Sequence, residues 1–496
     1  MRNSARCRLL PVVFMVLAAS SPAIAVDATE PVWSIGPDWH ASFESVDGSA
    51  SAYIQVLSSE TVAGGVARVI RTTEWLDAPH VRDRTFIEGP GGGVWLHKVV
   101  DHTTGETTVY DPPLYCLPPR SLPGTAWDVQ TTKHVTCAGV TRSQTENHAV
   151  LCDTMTVVSP VGTFASFWLM DTSENGDPLA DVFLAPGEGF VAFDSAETSR
   201  QYVLNGSTRH GWPPGFPAGQ VVPLRFAWPD GAEWVVQTVT SVEQEIGSAI
   251  DTLSTPTDYD MAVAHLPGGV AVSQSGVRGP EGPSVAAAAD SATRAVEDAI
   301  ASMRIDLNIG YDGRFRGLMQ PADVAARLEK IMGLADDPLI PPRMQTLVRS
   351  LYQGVGPAEI EDRLRTEWSY LVSAWAGRNL AVGESVIVPT EITHFLTGEL
   401  HPATLILSLA RLVPCDEAGN APDCAELHLV TWQVQGGHAT DSVQGGVVLV
   451  SEPDGLVPHR MTLYERYRSE QSRAAEMTGL NRQTWYRFGT GSRGGR

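Results

Sequence analysis

The sequence predicts an α+β protein that is mainly β. Two curved antiparallel sheet domains are expected, each an open roll or half-barrel, with a helical segment inserted in the second. Three observations predict this fold class. Short alternating runs of apolar and polar residues recur between Gly-, Pro- and Asn-containing turns in both halves of the chain. A Pro/Gly-rich stretch separates the halves, and an alanine-rich stretch from Ser284 begins a region of helical periodicity.

The first 25 residues have the pattern of a secretory signal peptide. Three arginines precede a short apolar run from Leu9 to Ala19, and Ala23-Ile24-Ala25 is a small-x-small cleavage site. The run is too short to span a bilayer and no second one follows, so no transmembrane segment is expected. Lysine is scarce beside arginine, which a GC-rich bacterial genome explains. We therefore expect a secreted bacterial protein, periplasmic or extracellular.

Composition limits the classes of partner. The signal segment carries three arginines and no acid, so cleavage moves the net charge from −22 to −25. A surface this acidic repels phosphate backbones, so no nucleic-acid partner is expected, and anionic lipid is equally disfavoured. A hydrophobic content of 43% is enough for packed cores.

The domain boundaries follow from shifts in composition. The stretch GWPPGFPAG from Gly211 has no periodicity and is the clearest boundary in the chain. The predicted organisation is a signal peptide at 1–25, a β-rich domain at 26–210, a Pro/Gly linker at 211–220, a second β-rich domain at 221–478 with a helical insertion at about 284–376, and a basic C-terminal tail at 479–496.

The first domain has the pattern of a β-meander. Gly64-Gly65, the GPGGG of Gly89 to Gly93 and Asn175-Gly176 are hairpin turns, and the last is the strongest hairpin signal. No P-loop lysine follows the glycine-rich turns, so they do not indicate a phosphate site. Strands are predicted at 51–61, 66–74, 82–88, 94–100, 106–110, 155–158 and 164–170.

Helices are predicted in the insertion of the second domain, with strands on both sides. The most regular helix, Pro357 to Trp375, places Ile360, Leu364, Trp368, Leu371 and Trp375 at helical spacing. Such a stripe is expected to be core that plugs or covers a sheet, with ligand lining by Trp368 and Trp375 as the alternative. The other predicted helices are 284–303, 321–332 and 341–352, and the predicted strands are 221–226, 234–242, 260–265, 304–309, 385–395, 404–413, 426–433, 446–451, 459–468 and a last one around Trp485.

Five cysteines remain after processing, in a compartment that favours disulfides. Cys415 and Cys424 bracket a loop between two strand-like runs, so one disulfide is predicted there. Cys137 and Cys152 are expected on neighbouring strands and are the second predicted pair. Cys116 is then left without a predicted partner.

The same region holds four residues that could bind zinc, namely His134, Cys137, His148 and Cys152. Side chains alternate faces along a strand, so His134 and Cys137 point to opposite sides. No metal site is therefore predicted, and no cofactor is expected.

No catalytic site is predicted. The chain lacks a Gly-x-Ser-x-Gly elbow and a His-Glu-x-x-His motif. Asp171 to Gly176 begins like an EF-hand loop, but Val182 occupies the position that needs a carboxylate. His97 with His102, Asp258 with Asp260, and Glu359 with Glu361 are expected as surface groups, and ligand-binding residues stay unknown.

The stretch YDPPLYCLPPRSLPGTAW from Tyr110 to Trp127 resembles a family pattern. So do Val161 to Phe164 and the VFLAPGEGFVAF of Val182 to Phe193. Together they resemble a group of bacterial exported β-sheet domains of uncharacterised function, and the second half is similar only in rhythm. The resemblance implies open, strongly curved antiparallel sheets and brings no catalytic residues.

A faint internal repeat accompanies this resemblance. Arg120 to Val129 can be aligned with Arg378 to Val388 if one insertion is allowed. Both segments precede a pair of cysteine-bearing strands, as duplication of one β-rich unit would explain.

Three functions are consistent with these observations. The leading hypothesis is a non-enzymatic exported protein that binds an apolar or amphiphilic ligand in a curved sheet. The alternative is an envelope or surface scaffold that acts through protein contacts. A secreted hydrolase with dispersed catalytic groups is the third, and the partner is otherwise unknown.

Overall fold

The computed structural model describes residues 31–75, 79–119, 123–137, 139–173, 178–195, 200–246, 249–278, 298–299, 302–336, 345, 349, 356–393, 400–415, 423–434, 442–468 and 477–490. The predicted signal peptide lies outside these residues. So do most of the two helices predicted at 284–303 and 341–352 and the last six residues of the predicted tail.

The first half forms a closed antiparallel barrel of twelve strands. Each strand pairs with its neighbours in sequence, and the first strand also pairs with the twelfth, which closes the ring. The strands are β1 (His40–Ser45), β2 (Ser51–Val62), β3 (Gly65–Trp75), β4 (Pro79–Glu88), β5 (Val94–Asp101), β6 (Glu106–Leu117), β7 (Thr125–Cys137), β8 (Val140–Ser159), β9 (Gly162–Ser173), β10 (Pro178–Ala185), β11 (Gly189–Ser195) and β12 (Arg200–Ser207).

The second half forms an open antiparallel sheet of eleven strands and a small two-stranded sheet. Its strands are β13 (Val221–Pro223), β14 (Glu233–Ile246), β15 (Ala249–Leu266), β16 (Gly269–Arg278), β17 (Arg304–Ile309), β18 (Phe315–Leu318), β19 (Asn379–Ala381), β20 (Ser385–Thr393), β21 (Leu400–Pro414), β22 (Asp423–Val434), β23 (Ser442–Glu452), β24 (Val457–Arg468) and β25 (Met477–Thr490). The small sheet pairs β13 with β19, and the large sheet has the order β18-β17-β16-β15-β14-β25-β24-β23-β22-β21-β20.

The predicted fold class is confirmed: the protein is mainly β, with a closed antiparallel barrel, a large open antiparallel sheet and helices inserted in the second half. The first sheet differs from the expected open roll because β1 meets β12. Closure depends on pairing between strands far apart in sequence, which no local pattern encodes. Residues 477–490 of the chain, including most of the predicted basic tail, lie in β25 near the middle of the large sheet. The domain boundaries themselves stay a prediction.

Two helices are described, α1 (Pro321–Ala335) and α2 (Pro357–Trp368). Pro357 occupies the first turn of α2, and the Glu359 carboxylate accepts the backbone N–H of Gly356 at 2.8 Å, which satisfies a free donor at the helix start. The predicted helix ends sooner than Trp375, because α2 gives way to a π-helical turn at Ser369–Ser373.

The core of the second half contains tryptophans that precede, lie in and follow α2 in the sequence. Trp228 lies 5.1 Å from Trp368 and 5.1 Å from Trp234 between ring centroids. The indole N–H of Trp368 donates to the Gly313 carbonyl at 2.8 Å, and that of Trp375 donates to the Tyr370 carbonyl at 2.8 Å. The indole N–H groups of Trp368 and Trp375 are thus paired, so these two large side chains are buried without an unpaired donor.

The barrel wall also contacts the large sheet. Val81 of β4 packs against Ile406 and Val430 of the sheet. Beside them the Thr73 and Ser385 hydroxyls lie 3.1 Å apart. The outer face of β3 and β4 is thus covered, while their other face lines the barrel interior.

We expect Trp375→Ala to lower the free energy of unfolding by about 3–5 kcal/mol, because Trp375 is fully buried and leaves a large cavity. Trp485→Ala is the matched control, since Trp485 is 41% exposed. Urea unfolding followed by circular dichroism measures both variants. Equal effects of the two substitutions would contradict this account of the core.

Candidate functional site: the barrel lumen

The barrel lumen contains a cavity of about 250 Å³. That volume equals about eight water molecules at roughly 30 Å³ each, so the cavity accepts a small molecule. Its lining is mostly aromatic and aliphatic, with a polar group of side chains at one side. The lining residues are Trp33, Ile54, Ile70, Thr72, Glu74, Arg84, Phe86, Leu96, Leu114, Tyr115, Cys116, Leu117, Val150, Leu169, Asp171, Leu179, Ala180, Val182, Leu184, Phe190, Phe193, Asp194 and Ser195.

Strand alternation explains how these side chains reach the lumen. On β3, Ile70, Thr72 and Glu74 are two residues apart and all line the cavity. Thr73 and Trp75 lie between and after them, and their side chains contact the second half of the chain instead.

The apolar end of the cavity is closed by Trp33, which precedes the first strand. Its ring lies 5.2 Å from Phe86 and 5.7 Å from Phe190 between centroids. The segment that carries it is tied to the turn between β10 and β11, where the Trp39 indole N–H donates to the Glu188 carbonyl at 2.8 Å. Gly189 in this turn has φ +93°, and a Cβ there would meet the Trp39 ring at 3.1 Å. The segment therefore packs against the barrel end as part of its wall.

A larger groove of about 830 Å³ lies outside this end, lined mainly by turn residues rich in glycine and proline. Trp33 and Leu117 line both the groove and the lumen cavity. These two side chains are therefore the partition between them.

The polar end of the cavity is built from Thr72, Glu74, Arg84 and Ser195. Glu74 is only 3% exposed and accepts the Ser195 hydroxyl at 3.2 Å. The Arg84 guanidinium donates to the Thr72 hydroxyl at 3.0 Å. Leu179 lines the same end and is 38% exposed, so the cavity approaches the protein surface there.

A second polar group lies on β8 and β9. The Asp171 carboxylate is 3.1 Å from His148 Nδ1, and Glu146 lies 3.5 Å from the other ring nitrogen. The hydrogen bond to Asp171 raises the pKa of His148, and burial opposes that rise. Lys133 pairs with Glu146 at 3.4 Å.

A third group combines Arg82, Asp101 and His80 at the polar end. The Arg82 guanidinium donates to Asp101 at 2.9 Å, and His80 Nε2 lies 2.9 Å from the same carboxylate oxygen. Burial acts to raise the pKa of Asp101, but His80 and Arg82 outweigh it and hold the pKa well below its usual range. This carboxylate therefore stays ionised and bound to its partners.

The pKa of Asp194 is shifted in the opposite direction. Burial raises its pKa to about 6, the nearby Asp181 adds to the rise, and the hydrogen bond from Gln201 reduces it. The Asp194 side chain pairs with that of Gln201 across β11 and β12, on the strand face opposite that of Phe193 and Ser195, and its protonation changes just below neutral pH.

The cysteine that lines the lumen is not activated as a nucleophile. Burial raises the pKa of the Cys116 thiol to about 12, so the reactive thiolate is not formed at neutral pH. Its Sγ–H donates to the Leu114 carbonyl at 3.4 Å.

The two predicted disulfides have different outcomes in the structure. Cys415 and Cys424 are joined, with Cα atoms 5.0 Å apart. Cys137 and Cys152 are both free thiols, so that predicted pair is wrong. In the β7–β8 hairpin Cys137 lies opposite Val140, at the turn, and Cys152 lies opposite Thr125, at the far end. Adjacent strands were predicted correctly, but the register keeps the two sulfurs a strand length apart. A disulfide at 415–424 is typical of proteins outside the cytoplasm.

The four residues considered for zinc are also dispersed. His134 is half-buried and bonded to Ser143 at 2.8 Å, whereas His148 is buried beside Asp171. Within the described part of the chain, one group of three potential ligands meets within 4.8 Å, formed by Cys415, Cys424 and His459. Its two sulfurs are already joined in the disulfide, so they offer no thiolates.

Several other sequence candidates have structural roles. Trp368 and Trp375 are 3% and 0% exposed, which places them in the core and away from any ligand. Glu359 caps α2, and Glu361 pairs with Arg365 at 2.7 Å one turn along the same helix. His102 binds Asp83 at 2.8 Å on the outer side of the barrel.

Sequence reasoning missed the lumen residues. Thr72, Glu74 and Arg84 sit in runs that were predicted as strands, and their alternation marks one face of each strand. Charged residues at such positions suggest the solvent side of a sheet. That face becomes the inside of the protein only because the barrel closes.

No family model matches the chain, and no curated protein matches its sequence. Among solved structures, the chain is similar to a Bacteroides fragilis protein described as a "putative exported protein with YmcC-like fold". The two are 12% identical, the match covers 36% of this chain and 99% of that one, and the TM-score is 0.23. Across the parts of the chain described above, no helix has the length and apolar character needed to cross a membrane.

We expect Asp194→Asn to stabilise the fold by about 1 kcal/mol at neutral pH, after allowance for partial solvent screening. The folded-state pKa of about 6 lies above the unfolded value, so ionised Asp194 costs stability above pH 6, and the cost disappears as the pH falls towards 4. Thermal unfolding at pH 4, 6 and 8 measures this.

Asp47→Asn is the control of opposite sign. Hydrogen bonds from Ser49 and Ser45 lower the pKa of Asp47, so its removal destabilises the fold at neutral pH. An Asp194→Asn variant that is less stable than wild type at pH 8 would overturn the assignment.

Proposed function

We propose that this is an exported, non-enzymatic protein that binds a small amphiphilic ligand inside the barrel of its first half. The observation that carries the proposal is the lumen cavity, whose walls are apolar at the Trp33 end and charged at the Glu74 end. Ligand sites in proteins are typically concave and mostly apolar, with a few placed polar groups that fix orientation. The lumen has this composition.

The polarity of the two ends supports an amphiphile over a purely apolar molecule. Phe86 and Phe190 flank Trp33 at the closed end and offer no charge. The other end carries the charged side chains of Glu74 and Arg84. A polar head fits beside these charges better than an apolar group does, because a charged side chain loses less solvation next to a polar group.

We expect Ala180→Phe to weaken binding of an apolar fluorescent probe, N-phenyl-1-naphthylamine, by at least about tenfold, which is roughly 1.4 kcal/mol. Ala180 lines the cavity, so the added ring occupies the ligand volume. Ala149→Phe is the matched control. Ala149 is exposed and lies between two inward-facing residues of β8, so its side chain points away from the lumen. Fluorescence titration of the mature protein measures all three forms.

Native mass spectrometry of the same material adds a second test. A small molecule that co-purifies with wild type, is lost on unfolding and is absent from Ala180→Phe supports the proposal. Failure of wild type to bind the probe, or equal binding by both variants, would count against a lumen site.

A further inference from the structure

We propose, on the basis of the function above, that Trp33 sets the longest apolar tail that the lumen accepts. The Trp33 ring closes the apolar end of the lumen cavity, and it also lines the larger groove outside that end. A short tail is enclosed before it reaches the ring, whereas a longer tail meets it. The site is therefore specific for amphiphiles whose tail has about eight non-hydrogen atoms or fewer.

The first argument is that a thin partition separates two spaces. Trp33 and Leu117 line both the lumen cavity of about 250 Å³ and the groove of about 830 Å³. Both side chains are almost completely buried, with exposed fractions of 8% for Trp33 and 2% for Leu117. Truncation of the Trp33 ring therefore joins the two spaces, and the volume that is open to a tail grows.

The second argument is how the Trp33 side chain is held. Its ring packs against two phenylalanines at the barrel end, and its indole N–H has no hydrogen-bond partner among the described residues. The backbone on both sides of it is anchored instead. The Gly187 N–H donates to the Ser34 hydroxyl at 3.0 Å and to the Pro31 carbonyl at 3.3 Å. The ring can therefore be replaced while the segment that carries it keeps its anchors.

The third argument is the chemistry of the groove on the other side of the partition. Its lining includes Val62, Val66 and four prolines, which offer apolar contact to a tail. Its charged members, Arg68 and Glu88, form an ion pair with each other. A tail that passes the position of Trp33 would therefore continue to bury apolar area, and longer tails would gain affinity.

The volume of the lumen cavity sets the expected limit. At roughly 30 Å³ per non-hydrogen atom, which is the volume of a liquid water molecule, a cavity of about 250 Å³ holds about eight such atoms. Each methylene group that leaves water adds about fourfold to the affinity. Affinity should therefore rise with chain length until the cavity is full, and then level off. A limit that disappears when the ring is removed is the mark of a length-determining residue.

The test is a series of primary alcohols, from 1-hexanol to 1-dodecanol, that compete with N-phenyl-1-naphthylamine for the mature protein. In wild type we expect the affinity to rise about fourfold per carbon as far as about 1-octanol and to level off beyond it. In Trp33→Ala the rise should continue, so that 1-dodecanol binds this variant at least about tenfold more tightly than it binds wild type. The affinity for 1-hexanol should change little.

Two further variants separate loss of the partition from a general loosening of the barrel. Trp33→Phe keeps an aromatic ring at this position and should keep the wild-type limit. Trp168→Ala removes a ring of the same size from β9, where Trp168 lines neither the cavity nor the groove, and it should also keep the limit. A limit that lengthens as much in Trp168→Ala as in Trp33→Ala overturns the inference.

If Trp33→Ala fails to fold, Leu117→Ala opens the other half of the partition and should lengthen the limit in the same way. Affinity that rises through 1-dodecanol in wild type, or a limit that stays unchanged in the opened variants, overturns the inference and leaves the proposed function standing. Failure of the naphthylamine probe and of every alcohol to bind wild type overturns the proposed function as well.

Discussion

The lumen depends on one pairing, between the first and the twelfth strands of the barrel. β1 meets β12 from Ala41 opposite Ser207 to Ser45 opposite Tyr202, with a register shift between Ser42 and Phe43. Without it the first half is a twelve-stranded open sheet with two free edges and one charged, water-exposed face. With this pairing the same face becomes the interior of the barrel, and the burial of the candidate site follows from that enclosure. The pairing of about five residues on each side thus converts a surface into a cavity.

Enclosure takes the charged lumen residues out of water, so they need partners inside the protein. Most are held in local pairs, such as Arg82 with Asp101 and Asp171 with His148, which is the condition for burying charge at tolerable cost. Apolar side chains could have filled this part of the barrel at a lower cost in free energy. A charged end next to an aromatic end is the arrangement that the proposed amphiphilic ligand requires.

The sequence predicted the strands and their antiparallel order well, because turns such as Gly64-Gly65 and alternation along β3 are local signals. It also placed Trp368 and Trp375 in a core stripe, which the structure confirms. The candidate site could not be predicted, since neighbours in the lumen such as Glu74 and Ser195 are far apart in the chain. The second disulfide failed for a related reason: proximity of two strands says nothing about register, and Cys137 sits at the turn of its hairpin.

The position of the C-terminal strand has a consequence for how the chain must fold. β25 lies between β14 and β24, and Trp234 pairs with Thr490 almost at the end of the chain. During synthesis both flanking strands are complete before β25 exists, so each has an unpaired edge until residues 477–490 have been made. Such long-range pairing slows folding and leaves intermediates open to aggregation. The large sheet is therefore completed only after residues 477–490 have been synthesised, and a product that lacks them would leave β14 and β24 with unpaired edges in the middle of the sheet.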